Sequence, residues 1–209
     1  MSYIEKIFVC MAAPLLVAVW CMRGRGRRTL IFLFAGMTVC LLSSYISTFL
    51  AAVQGADMLH ASLEIAPLVE ETMKLFPVLF YILVFDAGWE DASGSIIMTA
   101  VGFATFENVC YLTQNGAAQL LQLAVRGLGT GAMHVVCGQI IAIGLLRLWD
   151  REWLRVAGTV ALLAAAITYH GVFNILVSQT GAAGVIGALF PLLTVLLGQI
   201  FRKNLYPET

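Results

Sequence analysis

The residues best suited to chemistry in this sequence are ionisable side chains inside otherwise apolar stretches. The stretch APLVEETMKLFPVL contains Glu70, Glu71 and Lys74. The other such side chains, in chain order, are Glu107, Asn108, Arg126, His134, His170 and Asn174. An ionisable group inside a bilayer costs several kcal/mol unless it is paired or faces a polar cavity, so each is a functional candidate.

Helical spacing places these side chains on shared helix faces. Residues four apart are neighbours on a helix surface, and the pairs with this spacing are Glu70 with Lys74, Glu107 with Tyr111, His170 with Asn174, and Arg126 with Thr130, followed by His134. Glu70 and Glu71 are adjacent and therefore point about 100° apart. At most one of them can face a common centre, while the other needs a partner such as Lys74 or Arg126. We therefore expect the two glutamates to have different roles.

Glutamates and histidines that meet at one depth in a bilayer are suited to peptide hydrolysis. The reaction needs an activated water, a stabiliser for the oxyanion and a proton donor for the leaving amine. Glu70 or Glu71 can act as the base. His170 and Asn174, one turn apart on one face, can then donate to the oxyanion.

A metal-dependent arrangement is also compatible with these residues. Glu107, His134 and His170 would provide ligands for zinc and leave one position for water, with one of the paired glutamates as the adjacent base. No HExxH motif occurs, so the ligands would come from separate helices. The sequence leaves the metal-dependent and metal-free mechanisms open.

Other interpretations of these residues are structural or concern transport. Glu70 with Lys74 can be a buried clamp, and Asn108 and Asn174 can be interhelical hydrogen-bond residues. A proton-coupled transporter would show internal repeats, which the sequence lacks. A non-catalytic membrane scaffold or immunity protein is a further alternative. However, three carboxylates and two histidines on four predicted helices are a costly arrangement for packing alone.

The composition is that of an integral membrane protein. The 209 residues are 60% hydrophobic and 11% charged, with a formal net charge of +0, and the mean hydropathy is +0.90. No basic surface for nucleic acid is expected from this balance. The five cysteines form no CxxC pair, so neither a disulfide framework nor a zinc knuckle is indicated. We expect residues 1–209 to form a single integral membrane domain.

Hydropathy predicts an all-α bundle of about seven membrane-spanning helices. The expected spans are 4–22, 30–53, 65–85, 95–113, 124–146, 155–177 and 184–201. Nine basic residues fall in connections on one side: Arg23, Arg25, Arg27, Arg28, Arg147, Arg151, Arg155, Arg202 and Lys203. If that side is cytoplasmic, the N-terminus is outside and the C-terminus is inside.

Four short motifs follow one another along the predicted spans. They are EExxK at Glu70 to Lys74, FxxxEN at Phe103 to Asn108, an arginine and a histidine at Arg126 and His134, and HxxxN at His170 to Asn174. In this order they resemble the PrsW family of intramembrane proteases, a relative of the CAAX-prenyl endopeptidase and bacteriocin-processing superfamily. The resemblance covers about residues 64–177, which would be the catalytic core.

The resemblance implies an intramembrane endopeptidase, either a metalloprotease or a glutamate-type protease. The catalytic residues it implies are Glu70, Glu71, Glu107, His134, His170 and Asn174, supported by Lys74, Asn108 and Arg126. The substrate class it implies is a membrane protein, such as a single-span anti-sigma factor cut near the outer face. The implied location is the bacterial cytoplasmic membrane.

Overall fold

The computed structural model describes residues 3–85, 89–116, 120–148 and 151–205. Within these ranges the chain is helical and has no strand, which confirms the predicted fold class. The elements are α1 (Tyr3–Cys21), α2 (Gly24–Gln54), a short α3 (Met58–His60), a π-helical turn (Ala61–Ile65), α4 (Ala66–Phe85), α5 (Trp89–Asn115), α6 (Leu120–Leu148), α7 (Glu152–Val177) and α8 (Ala182–Leu205). Each predicted span corresponds to one of the long helices.

Five of the long helices are long and apolar enough to cross a membrane, namely α1, α2, α5, α7 and α8. The chain is therefore an integral membrane protein. The other two long helices, α4 and α6, contribute Glu70, Glu71, Lys74, Arg126 and His134. Polar side chains of this kind lower the hydropathy of a span while it remains helical.

The segment between the second and third predicted spans is structured, although the sequence predicts a loop there. Gly55 ends α2 with a φ of 64°, and its N–H is directed to the carbonyl groups of Ala51 and Ala52. Asp57 then accepts a hydrogen bond from the backbone N–H of His60 at 2.7 Å and starts α3. The π-helical turn follows and leads directly into α4. As a result, the residues just before Glu70 have a defined position.

Two glycines bring α2 and α5 into close contact. A Cβ atom on Gly36 would lie 2.1 Å from the carbonyl oxygen of Thr99, and one on Gly102 would lie 2.0 Å from that of Leu33. Small residues permit this approach of two helix backbones inside a membrane. The contact sets the position of α5, which contains Glu107.

Replacing Gly102 by alanine is expected to lower the melting temperature of the detergent-purified protein. The added methyl group would overpack the contact with Leu33, which typically costs about 1–3 kcal/mol. Gly94→Ala is the matched control, because a Cβ atom there meets no atom within 4 Å. An unchanged melting temperature for Gly102→Ala would show that α2 and α5 do not pack this closely.

Candidate active site

Glu71 is the centre of the polar cluster. Its Oε1 accepts a hydrogen bond from Nζ of Lys74 at 2.7 Å and lies 2.7 Å from Nδ1 of His170. A carboxylate beside an ammonium group accepts hydrogen bonds and donates none. The ring proton of His170 is therefore assigned to Nδ1 from its partner. Glu71 thus fixes the tautomer of His170 and leaves Nε2 as the nitrogen with a lone pair.

Lys74 extends this line of contacts from α4 to α6 and α5. Its Nζ lies 2.8 Å from Nδ1 of His134, and Nε2 of His134 lies 2.6 Å from Oε2 of Glu107. An ammonium group only donates, so Nδ1 of His134 accepts and its Nε2–H donates to Glu107. Phe103 packs against both basic residues, with 4.9 Å between its ring centre and that of His134 and 5.0 Å to Nζ of Lys74. Four side chains from three helices are thereby joined by hydrogen bonds.

Arg126 lies at the more exposed end of this line. Its Nη2 is 3.7 Å from Oε1 of Glu107, and its Nη1 donates to Oδ1 of Asn108 at 3.0 Å. The guanidinium group also lies 3.4 Å from the ring centre of Tyr111. A cavity of about 230 Å³ adjoins Asn108, Tyr111 and Arg126. Because Glu107 is 28% exposed and Arg126 is 31% exposed, an outside molecule can reach this end.

Glu70 is the glutamate of the adjacent pair that lies nearer the accessible side. Its side chain is 18% exposed, whereas that of Glu71 is 1% exposed. Oε2 of Glu70 lies 3.8 Å from Nε2 of His170. This separation is too long for a direct hydrogen bond, and a water molecule or another ligand beside the pair can contact both groups. The adjacent glutamates therefore differ in surroundings, as their angular separation predicts.

A group of three side chains in the described part of the chain can hold a metal ion. Ligand atoms of Glu70, His134 and His170 all lie within 4.8 Å of one another. One carboxylate and two imidazoles form a donor set that is found in catalytic zinc sites. His134 can join such a site only by giving up a hydrogen bond, because its nitrogens contact Lys74 and Glu107. The donor set therefore fits a divalent ion after a small rearrangement.

The predicted ligand set differs from this group in one residue. The sequence suggested Glu107 with His134 and His170, whereas the group that the structure brings together contains Glu70. Glu107 instead contacts His134 directly at 2.6 Å and Arg126 at 3.7 Å. These two contacts hold its carboxylate, so it is better placed to accept the hydrogen bond of His134.

Asn174 contacts the segment that precedes the paired glutamates. Its Nδ2 donates to the backbone carbonyl of Ser62 at 2.9 Å, and Ser62 belongs to the π-helical turn. Short π-helical segments occur frequently at functional sites. The hydrogen bond ties α7 to the chain just before α4. This arrangement differs from the expected donation to an oxyanion, and we interpret Asn174 as a positioning residue.

A comparison with protein families matches this geometry to a known class. Residues 25–199 match a family described as PrsW family intramembrane metalloprotease. The chain belongs to the PrsW family. The PrsW match includes nearly all of α2 and most of α8, so it is wider than the range of about 64–177 indicated by the motifs. No curated protein and no solved structure is significantly similar to the chain.

The structure brings most of the predicted PrsW site residues together. Five of the six predicted catalytic residues meet in the cluster: Glu70, Glu71, Glu107, His134 and His170. Lys74 contacts Glu71. The four-residue spacing in the sequence had suggested a pair between Lys74 and Glu70. The predicted supporting residues Asn108 and Arg126 contact each other.

Phe103 and Ser62 were not predicted as parts of the site. Phe103 stands four residues before Glu107 in the FxxxEN motif and therefore on the same helix face. That spacing is the signal that would have placed it beside His134. Ser62 participates through its backbone carbonyl, which no side-chain pattern in the sequence indicates.

Proposed function

We propose that this chain is an intramembrane endopeptidase that hydrolyses a peptide bond of a membrane-protein substrate. The observation that supports this most is the gap between Glu70 and Nε2 of His170, which lies on the accessible side of a buried line of polar contacts. The PrsW family match independently supports proteolysis as the activity.

In the metal-free form of this proposal, Glu70 and His170 act on the reacting water. Glu70 removes a proton as the water oxygen attacks the scissile carbonyl carbon, and it later transfers that proton to the leaving nitrogen when the C–N bond breaks. His170 holds the water through Nε2, because Glu71 occupies Nδ1. Glu71 is thus a positioning residue that acts through His170.

The partly exposed end of the site supplies positive charge that can stabilise the oxyanion formed from the scissile carbonyl. The guanidinium of Arg126 is held by Asn108 and Tyr111 at the partly exposed end. A fixed cation near a developing oxyanion stabilises the transition state without reorganisation. We propose that Arg126 has this role, in place of the amide of Asn174.

In the metal-dependent form of this proposal the cofactor is zinc, and Glu70 and His170 would be its ligands instead of contacting the water directly. Glu70, His134 and His170 would hold it, and it would polarise a bound water and the scissile carbonyl. In that state Glu107 would be the nearby carboxylate outside the ligand group, and it would accept the hydrogen bond of the His134 Nε2–H at 2.6 Å.

Purified wild-type protein is expected to contain zinc in a ratio near one ion per chain. Elemental analysis of wild type and Glu70→Ala tests this, with Glu64→Ala as the control because Glu64 is 67% exposed and pairs with His60. Chelation should remove the ion and reduce cleavage, and added zinc should restore it. Metal-free wild-type protein with full activity would contradict the proposed cofactor and leave the metal-free mechanism.

We also propose the topology and the substrate class. Seven spans with the N-terminus outside would bring the polar layer into the outer half of the bacterial cytoplasmic membrane, following the distribution of basic residues. A single-span membrane protein, such as an anti-sigma factor, would then be cut near its extracytoplasmic side. The short connections between the described helices are consistent with access from within the bilayer.

Replacing His170 by alanine is expected to abolish cleavage of a single-span reporter by the purified protein in liposomes. The loss should be about 10²–10⁴-fold, the usual contribution of a positioned acid–base group. His60→Ala is the matched control, since His60 is 47% exposed and pairs only with Glu64 among the contacts described. Equal cleavage by the two variants would reject the catalytic assignment.

A further inference from the structure

A second cavity, separate from the polar cluster, lies between the first half of α2 and the second half of α4. Its volume is about 730 Å³, within the roughly 300–1,000 Å³ typical of ligand pockets. Most of its lining is apolar, and it includes Ile31, Phe32, Phe76, Phe80 and Phe85. Phe76, Phe80 and Phe85 are each more than half exposed, so the cavity is open to the surroundings of the bundle.

One end of this cavity is basic. Arg27 and Arg28, from the first turns of α2, belong to its lining together with Tyr81 of α4. Nη1 of Arg28 donates to the hydroxyl of Tyr81 at 3.1 Å, which links the two helices at that end. The Arg27 side chain is exposed. Guanidinium groups bind phosphate through paired hydrogen bonds.

An apolar cavity with arginines at one end matches the chemistry of a phospholipid. Hydrocarbon suits the aromatic lining, and a negatively charged headgroup suits the arginines. We propose that this cavity binds an anionic phospholipid, with an acyl chain along the phenylalanines and its phosphate at Arg27 and Arg28. A zwitterionic lipid has the same apolar part without the net charge that the basic end selects.

The position of this lipid site connects it to the catalytic helix. Phe76 and Pro77 line the cavity and follow Lys74 on α4 by two and three residues. At about 1.5 Å per residue, Phe80 is roughly 9 Å along the helix from Lys74. A bound lipid would therefore contact α4 next to the residues that hold Glu71. Resting on the proposed function, a further expectation is that cleavage is faster in bilayers that contain anionic lipid.

The preference of the cavity for anionic phospholipid can be measured without a cleavage assay. Wild-type protein is reconstituted in nanodiscs of equal phosphatidylglycerol and phosphatidylcholine, extracted in mild detergent, and its retained lipids are measured by mass spectrometry. Arg27→Gln with Arg28→Gln is compared with Arg23→Gln with Arg25→Gln, which removes the same charge from residues outside the cavity lining. We expect retention of phosphatidylglycerol to fall about tenfold only in the first pair.

Replacing Arg28 also removes its hydrogen bond to Tyr81, which links α2 and α4. A second variant therefore tests the cavity without changing this contact. Ala35→Phe keeps both arginines and reduces the volume of the cavity, because Ala35 belongs to the lining. It is expected to reduce lipid retention while the melting temperature stays near that of wild type. Equal retention in wild type, Arg27→Gln with Arg28→Gln, and Ala35→Phe would overturn the proposal. So would an equal loss in the two arginine pairs, because it would show general surface attraction.

A photoreactive residue at Ile31 identifies the occupant directly. Ile31 lines the cavity and is 41% exposed. Crosslinks to phosphatidylglycerol support the lipid site, whereas crosslinks only to a reporter substrate or to a second copy of the chain overturn it. Lipid retention and photocrosslinking both measure binding and not cleavage. Either can fail while cleavage persists, or succeed while cleavage is absent, so failure of the lipid site can be distinguished from failure of the proposed function.

Discussion

Replacing Glu71 by glutamine is expected to remove both stability and activity. Glu71 is 1% exposed, and its carboxylate holds the ammonium of Lys74 and Nδ1 of His170. Removing one partner of a buried ion pair typically costs about 3–5 kcal/mol, since the remaining charge is uncompensated. His170 also loses a partner that only accepts, and because an amide can donate as well as accept, it no longer fixes the tautomer of His170. The melting temperature in detergent and reporter cleavage should both decrease.

A double variant separates these two effects. Glu71→Gln with Lys74→Met removes the uncompensated charge together with its partner, so it should recover part of the lost stability. It should not recover cleavage, because His170 still lacks its carboxylate partner. Wild-type melting temperature and cleavage in Glu71→Gln alone would contradict the central position given to this residue.

Replacing Glu70 by glutamine is expected to remove activity and leave stability nearly unchanged. Glu70 is the more exposed of the two glutamates, at 18%, and its ion contact within the described part of the chain is with His170 at 3.8 Å. Glutamine has the same shape but cannot accept a proton from water, so kcat should fall by about 10²–10⁴-fold. KM should change little if Glu70 acts on the reacting water.

The matched control for this variant is Glu64→Gln, six residues earlier in the chain. Glu64 is 67% exposed and contacts His60 at 3.3 Å, and neither residue is a member of the cluster. An exposed pair of this kind contributes little to stability. Comparable kcat values for Glu70→Gln and Glu64→Gln would show that Glu70 does not take part in the reaction.

The membership of the site could be predicted from the sequence because few ionisable residues stand inside apolar stretches. A bilayer makes each of them expensive, so they were expected to meet. Glu71, Lys74, His134 and Glu107 do so in the structure. The helices themselves were predictable for a related reason, since a chain in a bilayer must satisfy its backbone hydrogen bonds internally.

The order of contacts within the site could not be predicted in the same way. Whether Glu70 or Glu71 faces Lys74 depends on how α4 is rotated against α6 and α7, and that rotation is set by packing. The choice of Glu70 over Glu107 as a companion of the two histidines depends on the same packing.

The contact of Asn174 illustrates a second limit of the sequence. Its partner is the backbone of Ser62, in a π-helical turn that hydropathy assigns to a loop. A π-helical turn depends on hydrogen bonds between residues five apart, and the side-chain pattern of 54–64 does not encode them. The role of Asn174 therefore became visible only when its donor and acceptor were located.

Hydrolysis itself is tested most directly by the masses of the products. Purified wild-type protein in liposomes is mixed with a single-span reporter in water enriched in oxygen-18, beside His170→Ala. We expect two fragments whose masses add up to the reporter plus one water, with the label on the new carboxyl group, and neither fragment from the variant. An intact reporter with wild-type protein, with or without added zinc, or equal labelled products from His170→Ala, would contradict the assignment of this cluster as a protease active site.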